Sequence, residues 1–522
     1  MDQTQVINQA RRSLAAGDFA GARAGLEALL AHQPGHGGAL ELLGLAAGNQ
    51  GDFRAAAAHL ESAAQAGAAS PELHYNLAVA RQKLGEHDAA IAAFSQALAL
   101  RPYFFEAHHD LGLSLAARGD GTAAVATFDA ALKLRPDSFE ALYNKGKALG
   151  EIDRFEEEIA CYQRAIQLRP DFSGGYVNLG VALRDLHRFD EAMRHFKKAV
   201  TLNANDALAR CNRAQTNLLT GVFEHGWREY EWRWLDGSPV HRLPGKPWLG
   251  EGSLAGKTIV LHNEQGFGDT IQFVRYVPAV AALGARVILQ VQPALVPLLQ
   301  GFPGVAELVA EGDPLPAFDC HCPLMSLPLA FRTSLATIPP APYLRADPER
   351  SAAWRARLDA SPTGGGRPRI GVAWSGSTWH RNDRNRSLKL EQLGPLLAGD
   401  ASFVCLQKDL READRATLAA LPQLLDVSGE LASFADTAAL IDNLDLVISV
   451  DTAVAHLAGA LGKPVWLLLP YSPDWRWLLA RADSPWYPGM RLFRQPAMRD
   501  WGGALAELGA ALAALLRDAP RG

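Results

Sequence analysis

A carboxylate follows a short glycine-rich turn in the second half of the chain. The run GFGDT (266–270) comes directly after the apolar run TIVLHNE (258–264), which has the composition of a buried strand. The glycines, Gly268 among them, permit a tight turn into a helix, and we expect that helix to begin at Asp269. Two roles are open for Asp269: a helix N-cap, or a general base that points into a cleft. A dinucleotide fingerprint would need a third glycine where this chain has Ile271, so nicotinamide binding is disfavoured.

A second motif, DTAVAH (451–456), follows the apolar run DLVISV (445–450). A helix beginning here would direct unpaired backbone N–H groups and the positive end of its dipole toward the strand end, which favours a phosphate. Thr452 and His456 are four residues apart and would share one face of that helix. The alternative is a capped helix with a hydrogen-bonded histidine. The candidate phosphate-binding residues are Gly268, Asp451, Thr452, Ala453 and His456.

Three arginines follow a third strand candidate. RIGVAWSGS (369–377) leads into WHRNDRNR (379–386), and guanidinium groups near a strand end can hold phosphates through paired hydrogen bonds. Arg384 and Arg386 are predicted to bind phosphate, and Arg381, nearer the start of the loop, is expected to matter less. The alternative interpretation is a charged loop in solvent.

Aromatic residues cluster near the end of the chain. PDWRW (473–477) and SPWYP (484–488) would either form the wall of a pocket for a base or sugar, or pack between two lobes. CHC (320–322) lacks the spacing of a metal site, and the α/β half contains no D-x-D, so no metal is expected. The candidate pocket residues are Gln265, Gln407, Trp475 and Trp486.

These motifs lie at the ends of strand candidates in a region where strands and helices alternate. The alternation predicts parallel, doubly wound sheets, which bind ligands at the carboxyl ends of their strands. GGGRP (364–368) marks a boundary, so two Rossmann-like lobes are expected at 255–348 and 365–515, with a cleft between them. A helix is predicted over 269–283, and the strand candidates are 258–264, 286–291, 305–310, 318–324, 369–377, 402–407, 424–429, 445–450 and 464–470.

The first half of the chain repeats every 34 residues. Prolines recur at 102, 136 and 170, aromatic residues at 94, 128, 162 and 196, glycines at 112, 146 and 180, and alanines at 97, 131, 165 and 199. This pattern resembles the tetratricopeptide repeat (TPR), in which paired amphipathic helices stack on their neighbours. About seven units are expected to begin near residues 3, 37, 71, 105, 139, 173 and 207, the last as a cap. The TPR superhelix is placed at 1–236, and a Gly- and Pro-rich linker, packed through Trp248, at 237–254.

Composition excludes several classes of protein. The chain has 522 residues, of which 48% are hydrophobic, too many for bulk disorder. A formal net charge of −5 excludes a strongly basic nucleic-acid binder. Five cysteines are too few for a disulfide framework and suit a reducing compartment. No apolar run reaches the length of a membrane span, and the N-terminus lacks the apolar core of a signal peptide, so a cytoplasmic location is expected.

The motifs together resemble a known class of enzyme. GFGD, the arginine loop and DTAVAHLAGALGKPVWLLLP (451–470) look like the heptosyltransferase-type (family 9) glycosyltransferases of GT-B fold. The family's D-T-G-L-x-H motif has Ala453 and Val454 in place of its glycine and leucine here. With the TPR array, the segments GWREYEWRW (226–234), DWRWLL (474–479) and SPWYPGMRLFRQ (484–495) resemble TPR-linked bacterial glycosyltransferases, some of which modify flagellin. The implied fold class is an all-α TPR solenoid followed by an α/β GT-B half.

The resemblance implies a reaction without metal or other cofactor. A hexosyl, heptosyl or nonulosonic-acid group would pass from a nucleotide sugar to a protein or peptide on the concave TPR face, with inversion at the anomeric carbon. Asp269 would be the base, and the arginines and the helix after Asp451 would stabilise the leaving nucleotide. Three alternatives remain: a TPR adaptor with an inactive GT-B half, a transferase for a lipid-linked or small glycan, and a TPR scaffold without a ligand.

Overall fold

A computed structural model describes residues 3–235, 243–361, 366–379 and 382–518. It divides the chain into two compact units, Met1–Asn205 and Asp206–Gly522. Three elements of the sequence interpretation lie partly or wholly outside the described residues: positions 237–242 of the linker, positions 364 and 365 of the GGGRP boundary, and Arg381. Across the described ranges, no helix combines the length and the apolar character that crossing a membrane would require.

The first unit consists of helix pairs. The first helix of each pair begins at residue 3, 37, 71, 105, 139 or 173, as the 34-residue repeat predicts. Asp and Ser side chains cap first turns, for example at Asp52, Ser70 and Asp120. The helices are α1 (Gln3–Ala15), α2 (Phe19–His32), α3 (Gly37–Asn49), α4 (Phe53–Gln65), α5 (Pro71–Lys83), α6 (His87–Leu100), α7 (Phe105–Arg118), α8 (Gly121–Leu134), α9 (Phe139–Glu151), α10 (Phe155–Leu168), α11 (Ser173–Asp185) and α12 (Phe189–Leu202).

Glycine and aromatic positions of the repeat pack against each other within each pair. Phe128 is fully buried, and a Cβ atom on Gly112 would lie 2.7 Å from its ring. Gly180 and Phe196 make the same contact at 2.6 Å. The absence of a side chain at the glycine therefore lets the two helices approach closely enough to bury the ring between them.

A polar ladder joins the first helices of adjacent repeats. Three equivalent hydrogen bonds connect residues that are 35 positions apart, so each links one repeat to the next. The polar ladder consists of Tyr75 Oη donating to Asp110 Oδ2 at 2.8 Å, Asn144 Nδ2 donating to His109 Nε2 at 3.2 Å, and Asn178 Nδ2 donating to Tyr143 Oη at 2.9 Å.

The second unit opens with a further helix pair, α13 (Ala207–Leu219) and α14 (Phe223–Tyr230), and a 3-10 turn at Glu231–Leu235. A four-stranded parallel sheet follows, in the order β3-β2-β1-β4. Its elements are β1 (Thr258–His262), α15 (Phe267–Phe273), α16 (Val277–Ala282), β2 (Arg286–Val291), α17 (Val296–Leu299), β3 (Val305–Ala310), β4 (Cys320–Pro323), α18 (Leu327–Ala330) and α19 (Pro348–Asp359).

A six-stranded parallel sheet forms the second lobe, in the order β10-β9-β8-β5-β6-β7. Its core contains the wholly buried side chains of Trp374, Phe403 and Phe493. Its elements are β5 (Arg369–Ala373), α20 (Asp383–Arg386), β6 (Ser402–Cys405), α21 (Glu412–Ala419), β7 (Leu424–Leu425), α22 (Phe434–Asp442), β8 (Leu446–Val450), α23 (Ala453–Ala460), β9 (Val465–Leu469), β10 (Met490–Arg494) and α24 (Trp501–Asp518).

Strand order reverses once in each sheet. β1 lies between β2 and β4, and β5 lies between β6 and β8, so successive connections leave the central strand in opposite directions. A crevice opens beyond the carboxyl ends of the strands at such a switch point, and ligands of open α/β sheets bind there. GFGDT lies at the switch point of the first sheet, and Asp451 and the arginine loop lie at that of the second.

The predicted helix over 269–283 is wrong in its start and its continuity. α15 begins at Phe267, a 3-10 turn covers Val274–Tyr276, and α16 ends at Ala282. Pro278, which stands in the first turn of α16, cannot donate a backbone hydrogen bond to the preceding helix, so the helix breaks there. The predicted linker is packed at its described end, because Trp248 is 8% exposed and donates its backbone N–H to His321.

Candidate functional site between the two sheets

The two switch points face each other across the second unit. α15 of the first lobe packs against α23 of the second, and the contact is close at Gly268. A Cβ atom there would lie 2.9 Å from Cδ2 of His456 and 3.5 Å from Cα of Ala453. The structure therefore brings together candidate residues from two motifs that are far apart in sequence, and Gly268 is needed for the close approach of the helices.

Asp269 is the third residue of α15, not its first. Gly266 is the N-cap residue, and its backbone N–H donates to Oδ2 of Asp269 at 2.8 Å. The other carboxylate oxygen accepts a hydrogen bond from the guanidinium of Arg476, which belongs to the second lobe. Asp269 therefore stabilises the first turn of α15 and also faces the opposite lobe.

Arg476 is the main residue that the sequence interpretation missed. It is 6% exposed and donates Nε to Gln272 Oε1 at 2.6 Å and Nη1 to Asp474 Oδ1 at 2.9 Å, besides its ion pair with Asp269. Its guanidinium lies 4.3 Å from the ring centre of Trp475. The sequence signal was an arginine between two tryptophans after a strand, but the sequence interpretation assigned a role only to the aromatic residues.

His456 is enclosed by aromatic and charged groups. Its Nδ1 forms a 2.9 Å hydrogen bond with the hydroxyl of Tyr487, and its ring stacks on Trp477 with centroids 5.3 Å apart. Nε2 lies 3.9 Å from Oδ1 of Asp451. Burial, and then the positive charges nearby, of which Arg476 is the strongest, hold the pKa of His456 well below its usual range. The imidazole is therefore neutral at physiological pH and acts here as a hydrogen-bonding group.

Asp451 follows β8 and is held at the switch point. Its backbone carbonyl accepts a 2.9 Å hydrogen bond from Nη1 of Arg386. Burial, and then the neighbouring charge of Asp474, raise the pKa of the Asp451 carboxyl to about 6. A carboxyl with this pKa changes charge close to neutral pH, next to the first turn of α23.

We expect Asp451→Asn to change how stability depends on pH. Because the pKa rises from 3.8 to about 6 on folding, the folded chain keeps a proton that the unfolded chain loses between these values. This contribution to stability is fully present below about pH 4 and is lost as the pH rises to about 6, by up to about 3 kcal/mol. The variant lacks this loss, so its melting temperature relative to the parent should increase between about pH 4 and pH 7. An equal difference at both pH values would contradict the raised pKa.

Arg386 and Arg384 differ in position although both lie on α20. The side chain of Arg386 is 14% exposed and lies over Gly376, where a Cβ atom would be 2.5 Å from its Nη2. Arg384 is exposed. A third arginine that the sequence interpretation did not name, Arg411, donates to Asp383 Oδ2 at 2.6 Å and fixes the loop. Arg386 is thus attached to the β8 switch point through its hydrogen bond to the Asp451 carbonyl.

Thr452 is the N-cap residue of α23, so the predicted shared helical face of Thr452 and His456 does not form within one helix. Its Oγ1 lies 3.2 Å from Oγ of Ser449. Gln407, after β6, accepts a 3.2 Å hydrogen bond from the backbone N–H of Ser375, and Gln265 is exposed beside the glycine turn. Both glutamines therefore follow the carboxyl ends of strands, and their place in a pocket stays a prediction.

The candidate pocket tryptophans form a packed cluster. Trp475 and Trp486 are 4% and 1% exposed, and their ring centroids lie 5.2 and 6.5 Å from that of Trp227 on α14. Trp486 also contacts Phe273 of α15 at 5.9 Å. The structure corresponds to the packing alternative: these rings fill the space between the lobes and α14, and they do not line an open pocket.

A buried ion pair attaches the GWREYEWRW segment to the first switch point. Arg233 donates Nε and Nη2 to the two carboxylate oxygens of Glu264 at 2.7 and 2.8 Å, and Nη2 also donates to Ser326. Glu264 lies two positions before Gly266, the first residue of the glycine turn, and its side chain is 3% exposed. Burial raises the pKa of Glu264, and Arg233 opposes that rise. The 3-10 turn after α14 therefore anchors the segment that leads into the GFGDT turn.

Comparisons with known proteins agree with this architecture. Residues 399–477 match the family described as glycosyltransferase family 9 (heptosyltransferase). Tetratricopeptide repeat families match residues 71–104, 109–171 and 173–206. The chain therefore contains tetratricopeptide repeats and, at residues 399–477, a segment similar to glycosyltransferase family 9. The predicted fold class, a TPR solenoid followed by an α/β GT-B half, is confirmed.

Individual relatives cover parts of the chain. Protein FlbA of Caulobacter vibrioides is 29% identical over 336 residues, which are 59% of this chain and 55% of FlbA, so the chain spans about half the length of this curated relative. The solved structure of MamA is 23% identical, covers 32% of this chain and 92% of MamA, and has a TM-score of 0.31. That of YrrB, a TPR protein with an unusual peptide-binding site, is 24% identical, with 33% and 88% covered and a TM-score of 0.32. The family 9 match supports glycosyl transfer as the class of reaction.

Proposed function

We propose that the second unit transfers a sugar from a nucleotide-sugar donor to a protein acceptor that the TPR array binds. The observation that carries this proposal is the meeting of the two switch points, with Asp269 on one side and Arg386 and the first turn of α23 on the other. The family 9 match covers α23 and Arg476 and supports the assignment of the second lobe to the donor.

The donor phosphates would lie at the β8 switch point. Backbone N–H groups of the first turn of α23 and the guanidinium of Arg386 would face the diphosphate, and both favour negative charge. As the bond between the anomeric carbon and the phosphate oxygen breaks, the nucleotide leaves with its electron pair, and this cationic environment stabilises it. Metal independence stays a prediction, which activity in excess EDTA tests.

The acceptor would be activated from the first lobe. Its hydroxyl oxygen attacks the anomeric carbon from the face opposite the leaving phosphate, which inverts the configuration there. The carboxylate of Asp269 accepts the hydroxyl proton. Arg476 holds that carboxylate through Oδ1, and the backbone N–H of Gly266 holds it through Oδ2. The sugar would be of the hexosyl, heptosyl or nonulosonic type, and flagellin is the acceptor that the sequence resemblance suggests testing first.

A panel of nucleotide sugars tests this function. We expect at least one to raise the melting temperature of the protein in EDTA and to be hydrolysed slowly or transferred to the acceptor. Binding without turnover in any acceptor mixture would favour the inactive adaptor. Modification of a glycan in place of a protein would favour the transferase for lipid-linked or small glycans.

We expect Arg386→Ala to lower affinity for the nucleotide diphosphate by roughly ten- to a hundredfold, because one charge-assisted hydrogen bond is worth about 1.5–3 kcal/mol. Arg386→Lys should recover only part of this affinity, since an ammonium cannot replace a planar fork. Arg384→Ala and His456→Ala should also weaken binding, the former less than Arg386→Ala because Arg384 is exposed. Calorimetric titration measures all four variants. Parental affinity in each of them would place the donor elsewhere.

We expect a chain that begins at Asp206 to bind the donor but not to modify the protein acceptor. This start keeps α14 and the 3-10 turn after it, whose Trp227 and Arg233 pack in the second unit, whereas a start at 237 would remove both. Calorimetry with the nucleotide and mass spectrometry of the acceptor measure the two activities. Equal modification by the full and shortened chains would contradict the proposed role of the repeats.

A further inference from the structure

One tryptophan of the second lobe is almost wholly exposed. Trp379 is 94% accessible to solvent, whereas Trp374, five residues earlier in the same segment, is fully buried. An indole exposed to this degree offers a free aromatic face on which a planar ring can stack. Trp379 lies in the segment that follows β5, the strand at the switch point of the second sheet.

The loop that carries Trp379 is fixed at its base. The backbone N–H of Leu388 donates to the carbonyl of Trp374 at 2.8 Å, and that of Gly376 donates to Oγ of Ser387 at 3.0 Å. The two ends of the loop therefore lie side by side.

Trp379 lies within reach of the proposed phosphate site. Gly376 contacts the guanidinium of Arg386, and Trp379 is three positions further along the chain, a span of at most about 10 Å. That distance is of the order of the length of a nucleoside diphosphate from its terminal phosphate to its base. Arg386 itself is hydrogen-bonded to the backbone carbonyl of Asp451, two residues before α23 begins.

We propose that Trp379 stacks on the nucleobase of the donor, while Arg386 and α23 hold its diphosphate. This inference rests on the proposed function. The order of groups along a nucleotide sugar decides whether Trp379 stacks on the base or on the sugar. Because the sugar must reach Asp269 on the first lobe, the base lies on the other side of the phosphates, in the second lobe. An aromatic face binds any base, since stacking needs no particular pattern of hydrogen bonds. Trp379 therefore supplies affinity, and selectivity among bases comes from other groups.

Titration calorimetry with two kinds of probe tests the inference. The probes are nucleoside diphosphates with each of the common bases, and inorganic pyrophosphate, which has the charges but no base. We expect Trp379→Ala to lower the affinity for the best-binding nucleoside diphosphate roughly five- to a hundredfold. The affinity for pyrophosphate should not change. Trp379→Phe should keep most of the affinity, because it keeps an aromatic face. Arg386→Ala should weaken both kinds of probe.

A matched control is Tyr103→Ala, which removes an equally isolated ring, 84% exposed, from the first unit and should change neither titration. Parental affinity of Trp379→Ala for nucleoside diphosphates, with both probes weakened by Arg386→Ala, would overturn the stacking and leave the proposed function standing. An equal loss of affinity for both probes in Trp379→Ala would also overturn the stacking, since the indole would then act on the phosphate site. A parent protein that binds no nucleoside diphosphate would overturn the proposed function and this inference with it.

Discussion

Asp269→Asn should reduce glycosyl transfer by two to four orders of magnitude, about the contribution of a positioned general base. An amide cannot accept the acceptor's proton at neutral pH, but its oxygen can still accept the hydrogen bond from the Gly266 N–H. Donor binding should therefore change little. The measurement is turnover under saturating donor together with donor affinity by calorimetry.

The ion pair with Arg476 makes a control necessary, because Asp269→Asn also removes one of two carboxylates from a buried guanidinium. Asp474→Asn removes the other one, which accepts from Nη1 at 2.9 Å, and leaves Asp269 in place. Both variants should lose a comparable amount of stability, on the order of 1.5–3 kcal/mol. Only Asp269→Asn should reduce turnover by two to four orders of magnitude. Near-parental turnover in Asp269→Asn, or equal losses in the two variants, would remove the assignment of Asp269 as the base.

Arg233→Met should destabilise the second unit by about 3–5 kcal/mol, because it leaves the buried carboxylate of Glu264 without its partner. The melting temperature of that unit should fall by on the order of 10 °C. Turnover should fall as well, since Glu264 lies in the segment that leads into the GFGDT turn, which carries Asp269. Calorimetric melting of the full chain measures the effect, with the transition of the first unit as an internal reference.

The double variant Arg233→Met, Glu264→Met separates charge burial from packing. If an unpaired charge causes the loss, the second substitution should restore part of the stability, because two apolar side chains of similar volume replace the ion pair. Additive destabilisation would show instead that shape and the Ser326 and Tyr230 contacts of Arg233 dominate.

Periodicity made the first half of the chain predictable in detail. A 34-residue step specifies where each helix begins, because packing between repeats uses the same positions every time, as at Gly112 and Phe128. Strands of the second unit were predictable as buried apolar runs. β10 was not, because Arg491 and Arg494 interrupt its apolar residues at an edge of the sheet.

The candidate site was predictable only as separate motifs. Chain direction and strand order place Asp269 and Asp451 at carboxyl ends of strands, and topology alone allows this inference. The contacts that define the site join residues far apart in sequence: Arg476 is 207 positions from Asp269, and Arg233 is 31 from Glu264. No local pattern specifies such pairs, so the motif DWRW alone does not indicate that its arginine pairs with Asp269.

The polar ladder of the first unit determines how that unit should open. Each of its hydrogen bonds connects one repeat only to the next, so the loss of a terminal repeat costs a single interface while the rest of the array persists. Its bonds run from Tyr75 to Asn178, and α1–α4 precede its first member. Fraying should therefore start at α1 and advance repeat by repeat, with amide hydrogen exchange fastest in the first two helix pairs and slowest around α7–α10.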